Sequence, residues 1–485
     1  MRLNAIVLVC AVVAGMAEPA LSADITQQGA DNLKRDLTRL LPKDAQKNGS
    51  IKVNPAGERY EIIYDLDKML KTFGSHAGLS VSGLTPWSIF ATPEDGGLWK
   101  LEGDNSLDVS GTIKAEGQST TDFSYGIDSY VFNALFDPAI SYLRSGDFST
   151  KAIRLTSKTD KEEVKVTAAN STTKLTSSDN EQPGRTNFAA SGSMTQLFES
   201  VSGTDMPLVE IRADALDFAA AVNGVAAKEL REIVAFVIAH ADDKKLKRAD
   251  SEKLKSLLRD AFPLVTSLNE TISFNNVTVS AKDGSGGAKS IDYNIAMAGP
   301  TNATRFDVGV AAQGITLDSA LVPAAYSAFL PQSFSMQFSM PDMDFATFGD
   351  ELLKMDFTKS KGSDEAGKKA FEKLFKDDNL VIGFPKISAV SSMYDVDVSG
   401  ELRGHSTSQK DYSLDASILV RDFDKTITAI QDLAKTNPDL NQVSFGLMMA
   451  KGFAKTDADG RQRWDINVAK DGAVTINGQV VKGAD

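Results

Sequence analysis

Alternation of apolar and polar residues at a period of two recurs along most of this chain. That rhythm constrains the fold more than any other feature of the sequence. Side chains on an extended backbone point to opposite faces in turn, so each alternating run makes a strand with one face suited to a core. The closing stretch RWDINVAKDGAVTINGQVVKGAD, residues 463–485, shows it most plainly. Trp464, Ile466 and Val468 alternate with polar residues, Asp471-Gly472 marks a turn, Val474 and Ile476 follow, and Asn477-Gly478 marks a second turn. Asp-Gly and Asn-Gly suit the tight turns that join antiparallel strands.

The same grammar covers much of the rest. Ile51 and Val53 lead through NPAGE to Tyr60, Ile62, Tyr64 and Leu66, and PWSIFATPEDGGLWKL turns at Asp95-Gly96-Gly97. SLDVSGTIKAEG reads as a strand, and KAIRLTSKTDKEEVKVTA as a hairpin turning near Asp160. In the second half, TISFNNVTVSAKDGSGGAKSIDYNIAMAG reads as a hairpin with a glycine-rich turn. RFDVGVAAQGITLD, SFSMQFSMPDMDF, YDVDVSGELRG and YSLDASILVRDF follow as strands.

Helical spacing appears in few places. Leu33, Leu37, Leu40 and Leu41 share one face of a short N-terminal helix that Pro42 stops. From 213 to 240, and again from 245 to 262, the period becomes helical, with a stripe of Leu230, Ile233, Val234, Val237 and Ile238 and another of Leu254, Leu257, Leu258 and Ala261. HADDKK is the turn between them and Pro263 ends the pair. DEAGKKAFEKLF and DKTITAIQDLAKT are two further helices. The expected architecture is therefore α+β: two β-rich units of long antiparallel, curved sheets at 24–205 and 266–485, with a helical hairpin at 206–265 between them. The stretches 136–157 and 321–341 share a proline, a short apolar helix, a turn and an alternating strand. Internal duplication and chance likeness among hairpins both fit that similarity.

The first 23 residues read as a secretory leader. Arg2 precedes an apolar run from Ala5 to Ala17, Pro19 breaks it, and Leu21-Ser22-Ala23 supplies small residues before Asp24, predicting cleavage after Ala23. An uncleaved anchor is the alternative. Cys10, in a poor lipid-attachment context after Val7-Leu8-Val9, is the single cysteine, so the mature chain relies on burial without disulfides. No later run approaches the roughly 20 apolar residues of a membrane-spanning helix. Net charge is −13, which repels phosphate backbones and anionic lipid headgroups and argues against nucleic-acid or electrostatic membrane binding.

Catalytic constellations are hard to find. The three histidines, His76, His240 and His405, lie far apart in sequence with no cysteine to join them, so no metal site is expected. STTK and SDN at 171–180 echo motifs of penicillin-recognising enzymes. They stand four residues apart on a polar stretch, where the chemistry needs a helix-borne serine and a distant loop. GSGGAKS at 284–290 lacks phosphate-loop spacing, and DADG at 457–460 would put Ile466 where a calcium loop needs a carboxylate. No cofactor is implied. Paired carboxylates remain an alternative route to chemistry: Asp395 or Asp397 with another buried acid, both with raised pKa, would suit a hydrolase of envelope polymers.

Apolar surface is the more distinctive offering. Phe334, Met336, Phe338 and Met340 alternate along one strand, with Met343 and Phe345 just beyond, and Met393, Met448 and Met449 make the second half methionine-rich. Such a face either fills a core against the helices or forms a groove for an acyl chain, which adaptable methionines suit. The signal segment, the long series of alternating strands, Leu330-Pro331 before an alternating strand and the terminal DGAVTINGQ resemble the domain-of-unknown-function family 2125 of exported bacterial proteins. The chain resembles the YdgA-like family more loosely. The resemblance implies a periplasmic home in a double-membraned bacterium and carries over no catalytic residues. The expected role is a non-enzymatic periplasmic binding or scaffolding protein of the cell envelope, whose partner is a lipid, another apolar ligand or an envelope protein met through exposed sheet edges.

Overall fold

The computed structural model describes residues 25–38, 48–74, 78–114, 119–140, 142–240, 245–358, 363–405 and 411–484. The leader reading, Leu40, Leu41, His76 and the centre of the HADDKK turn lie outside them. The fold is α+β and β-rich, with open antiparallel sheets that do not close into a barrel. The chain divides into two compact units, Met1–Ser267 with Asp356–Ser363, and Leu268–Met355 with Asp364–Asp485.

Unit 1 runs α1 (Gln27–Thr38), β1 (Ile51–Ala56), β2 (Arg59–Tyr64), α2 (Leu66–Gly74), β3 (Leu79–Ser82), β4 (Trp87–Pro93), β5 (Trp99–Ile113), β6 (Thr121–Asp137), β7 (Tyr142–Lys158), β8 (Glu162–Asp179), β9 (Thr186–Gly203), β10 (Val209–Val225), α3 (Ala227–Ala239) and α4 (Arg248–Ala261). The sheet order is β1-β2-β4-β5-β6-β7-β8-β9-β10, with β3 beside the far end of β5. From β6 to β10 each strand has 17 or 18 residues, roughly 58 Å of extended chain. Ala152 and Gln196 take positive φ, 53° each, and interrupt their ladders locally while the register on either side stays the same.

The core of unit 1 gathers at one end. Thr26 caps α1, its Oγ1 accepting from the Gly29 amide at 3.1 Å, and the i, i+4 pair Leu33 and Leu37 then faces the sheet. There they meet Tyr60, Ile62 and Tyr64, with Trp99, Leu101 and the fully buried Phe136 behind. Burial pushes the Tyr64 phenol well above its ordinary range. A side chain at Gly29 would strike the Tyr60 hydroxyl, so only glycine lets the helix pass this close. Leu66, read as the end of a strand, instead opens α2, because Asp65 caps it: Asp65 Oδ1 accepts from the Lys68 amide at 3.1 Å.

The helical stretch expected from 213 is shorter. Residues 209–225 form strand β10, which pairs with β9 from Val209↔Val201 to Val225↔Thr186. Its alanines favour helix intrinsically, but a long ladder and cross-strand packing override a propensity of a few tenths of a kcal/mol per residue. On α3 the buried residue is Phe236, while Val234 and Val237 of the expected stripe face outward. Arg185 fastens the helix pair, donating to the carbonyls of Gly224, Ala261 and Pro263.

Unit 2 runs β11 (Ser267–Ala281), β12 (Gly284–Ala298), β13 (Thr304–Gln313), β14 (Thr316–Ser319), β15 (Ser333–Met343), α5 (Phe345–Leu353), α6 (Ser363–Glu372), β16 (Asn379–Val390), β17 (Asp395–His405), β18 (Ser413–Arg421), α7 (Phe423–Ala434), α8 (Leu440–Phe453), β19 (Lys455–Thr456), β20 (Gln462–Val468), β21 (Val474–Ile476) and β22 (Gln479–Lys482). The order is β11-β12-β13-β15-β16-β17-β18-β20-β21-β22, with β14 beside β12 and β19 beside β20. The closing hairpins follow the sequence reading, and Asn477 and Gly478 both take the positive φ that a two-residue turn requires. Two expectations change. The glycine-rich segment 284–287 is strand, paired with β14, and the turn is Lys282-Asp283. The short apolar helix expected near 138 is only a turn, whereas 324–329 does form a 3-10 helix.

Candidate functional site

The apolar face of unit 2 is built by register. Directly opposed residues of an antiparallel sheet share a face, and the pairings align Ile272, Tyr293, Val310, Met336, Ile387, Val398, Ile418 and Trp464 in one row across eight strands. A neighbouring row holds Phe274, Ile291, Ala312, Phe334, Ala389, Val396 and Val420. Further rows place Ile295, Val308 and Phe338 together, and Met297, Phe306 and Met340. At about 4.8 Å per strand the first row spans roughly 34 Å.

The opposite face is polar. Its matching row is Ser273, Asp292, Ala311, Ser335, Ser388, Asp397, Leu419 and Arg463. Ser273 and Ser290 donate to Asp292, and the Ser335 and Ser388 hydroxyls meet at 2.7 Å. The sheet is thus two-faced over its whole breadth.

Phe334, Met336, Phe338 and Met340 all lie on the apolar side, one on each of four successive rows. Phe338 is 37% exposed and the other three are half-buried. Their row-mates Tyr293 and Val308 are 45% and 37% exposed. Met343 departs from the series: a bulge at Asp342, φ 59°, precedes it, and its side chain is buried. Phe345 has left the strand and begins α5, which Asp344 caps by accepting from the Thr347 amide at 2.9 Å.

One end of this face is covered. Val420, Phe423, Ile427 and Trp464 form a buried cluster under α7 and α8, with Phe423 and Trp464 edge to face at 4.9 Å and Trp464 Nε1 donating to the Ala450 carbonyl at 2.7 Å. Phe384 lies over Gly400 of the neighbouring strand, where any Cβ would sit 2.6 Å from its ring.

Unit 1 carries a concavity of about 640 Å³. Phe132, Phe148, Thr173, Gly192 and Phe218 are aligned across five strands and give it an aromatic floor. Tyr130 stacks beside Phe148 at 6.4 Å, and burial pushes its phenol above the ordinary range.

The residues weighed for chemistry are dispersed. His240 ends α3, stacks on Phe236 at 4.1 Å and stands 3.7 Å from Asp250. His405 stands 3.6 Å from Asp378. Asp395 faces Arg421 at 3.6 Å and Asp397 faces Arg461 at 2.8 Å, so each carboxylate meets a guanidinium on the polar face. The STTK segment at 171–174 lies along β8, between β7 and β9. Asp457 to Gly460 is the turn before β20, with the Asp457 amide donating to Arg461 O at 2.8 Å. Among the described residues no group of three or more His, Asp or Glu side chains could hold a metal ion, and no helix is long and apolar enough to cross a membrane.

Sequence reasoning found the β15 face but not its breadth. Tyr293, Val310, Ile387, Val398, Ile418 and Trp464 each sit in an alternating run, yet nothing local says which face of one strand continues on the next. No protein-family model, curated protein or solved structure matches this chain.

Proposed function

We propose that this is an exported, non-enzymatic binding protein of the cell envelope, which holds an acyl-chain lipid or similar apolar ligand against the apolar face of unit 2. One observation carries the reading. A row of eight apolar residues crosses eight strands, and a neighbouring row leaves Phe338 and Val308 more than a third exposed. Exposed apolar area of this breadth marks a binding surface more often than an idle one. Met297, Met336 and Met340 give the face the adaptability that chains of varied length and unsaturation call for. The leader reading makes the periplasm its compartment. Purified mature protein should begin at Asp24 and fractionate with the periplasm.

The test is mass measured under gentle and then denaturing conditions. Extra mass that leaves on denaturation and extracts as lipid supports the proposal, and Phe338→Asp should lower its occupancy at least about tenfold. A bare polypeptide mass from native periplasm would sink it. The hydrolase reading has less support, because Asp395 and Asp397 each face an arginine instead of a second acid.

A further inference from the structure

A charge interrupts the apolar side of unit 2 at one position. Glu270 on β11 stands directly opposite Ile295, so the row of Ile295, Val308 and Phe338 begins with a carboxylate. Among the described residues it is the one charged side chain in the four rows that pass through Phe334, Met336, Phe338 and Met340. It is half-buried, and among the described residues no hydrogen bond or ion pair joins its carboxylate to another group. Its surroundings are also the open part of the face: Val308 and Phe338 share its row, and Tyr293, diagonal to it on β12, is 45% exposed.

Charge says what suits this place. A carboxylate set among apolar side chains keeps only part of its water, and a cation that brings its own apolar body replaces what is lost. Tyr293 adds to the attraction, because the face of an aromatic ring is negative. The net charge of −13 works in the same direction at longer range, drawing cations in and turning anions away. Lys289, exposed on the same side of β12, lies six residues along from Ile295, roughly 20 Å off. A cation is thus drawn to one end of β12 and repelled from the other.

We propose that the ligand of unit 2 is a cationic amphiphile, an alkyl or acyl chain ending in an ammonium group. The ammonium sits beside Glu270 and Tyr293, and the chain lies over Val308 and Phe338. This rests on the reading of the apolar face as a ligand surface and adds the head that the ligand carries. Calorimetric titration of the full mature chain tests it, with dodecyltrimethylammonium, dodecanol and dodecanoate below the concentrations at which they aggregate. Dodecyltrimethylammonium should bind at least about tenfold more tightly than dodecanol, and added salt should narrow the gap. Glu270→Gln should abolish that preference and leave the affinity for dodecanol unchanged, which also shows that the variant is folded. Asp318→Asn removes the same charge from an exposed position of β14 and should change neither affinity. Equal losses in the two variants overturn the proposal, since the cation then answers only to the acidity of the whole chain. Equal binding of cation and alcohol by the parent, or a preference for dodecanoate, overturns it while the apolar-ligand reading stands. Binding of none of the three overturns both.

Discussion

The α1 end of unit 1 and the β15 region of unit 2 are written in the same alternating code and finish differently. In unit 1 the alternating Tyr60, Ile62 and Tyr64 end beneath a helix, in a cluster of sixteen buried residues that includes Phe136. In unit 2 the alternating Phe334, Met336, Phe338 and Met340 stay half-exposed, and the buried cluster among the described residues has four members at the other end of the face. Alternation therefore decides that a face is apolar, and the helices decide whether it becomes a core. Where a helix is present the face buys stability; where none arrives it is left for something else to touch.

The sharpest way to break this contrast is a matched pair of truncations. Phe136→Ala should cost about 3–5 kcal/mol, because the site is fully enclosed, whereas Phe338→Ala should cost under about 1 kcal/mol. Denaturant unfolding of both reads the difference, and equal losses would mean that the β15 face is a core after all. Next comes Gly400→Ala, which drives a methyl to 2.3 Å from the Asp415 carbonyl and into the Phe384 ring, at a cost of about 1–3 kcal/mol. A neutral result would show that β17 and β18 can part without penalty.

Trp464→Phe asks how firmly the covered end of unit 2 is fixed. It leaves the Ala450 carbonyl without its indole donor, for a loss of about 1–2 kcal/mol. The smallest expected effect lies in unit 1. A side-chain hydrogen bond from Lys68 is the main reason the Asp65 carboxyl is held below its usual range, with backbone bonding and Lys52 adding to it. Its folded pKa is thus below its unfolded one, so the stabilisation is complete above about pH 4 and lost as pH falls through the folded value. Asp65→Asn keeps the cap and removes the charge. The gap between parent and variant should close on acidification below about pH 4, and a gap independent of pH would rule this account out.

Much of the fold was legible because strands announce themselves locally. The hairpins at Asp95-Gly96-Gly97, near Asp160 and at Asn477-Gly478, and the helices α6 and α7, needed only nearest-neighbour chemistry. Where sequence and structure part, a distant partner decides. Ala213 to Val225 carries helix formers but has β9 to pair with, and Gly284 to Gly287 carries turn formers but has β14. Helix α8 was missed for a different reason: apolar on both sides, it shows no 3.6-residue stripe to detect. The candidate site was half legible. The direction of one strand's face can be read from alternation, whereas the alignment of eight faces is a property of register, which depends on bulges such as the one at Asp342.

Consecutive pairing also bears on how such a chain changes its length. In both units nearly every strand lies beside the next one in sequence, and the departures merely step over a short strand, β3, β14 or β19. A hairpin removed from the middle of such a series leaves its two neighbours antiparallel and of the right polarity to pair with each other. A hairpin duplicated there adds about 10 Å of breadth and disturbs no other ladder. The sheet can be lengthened or shortened two strands at a time, so proteins built on this plan should differ in strand number far more readily than in strand order.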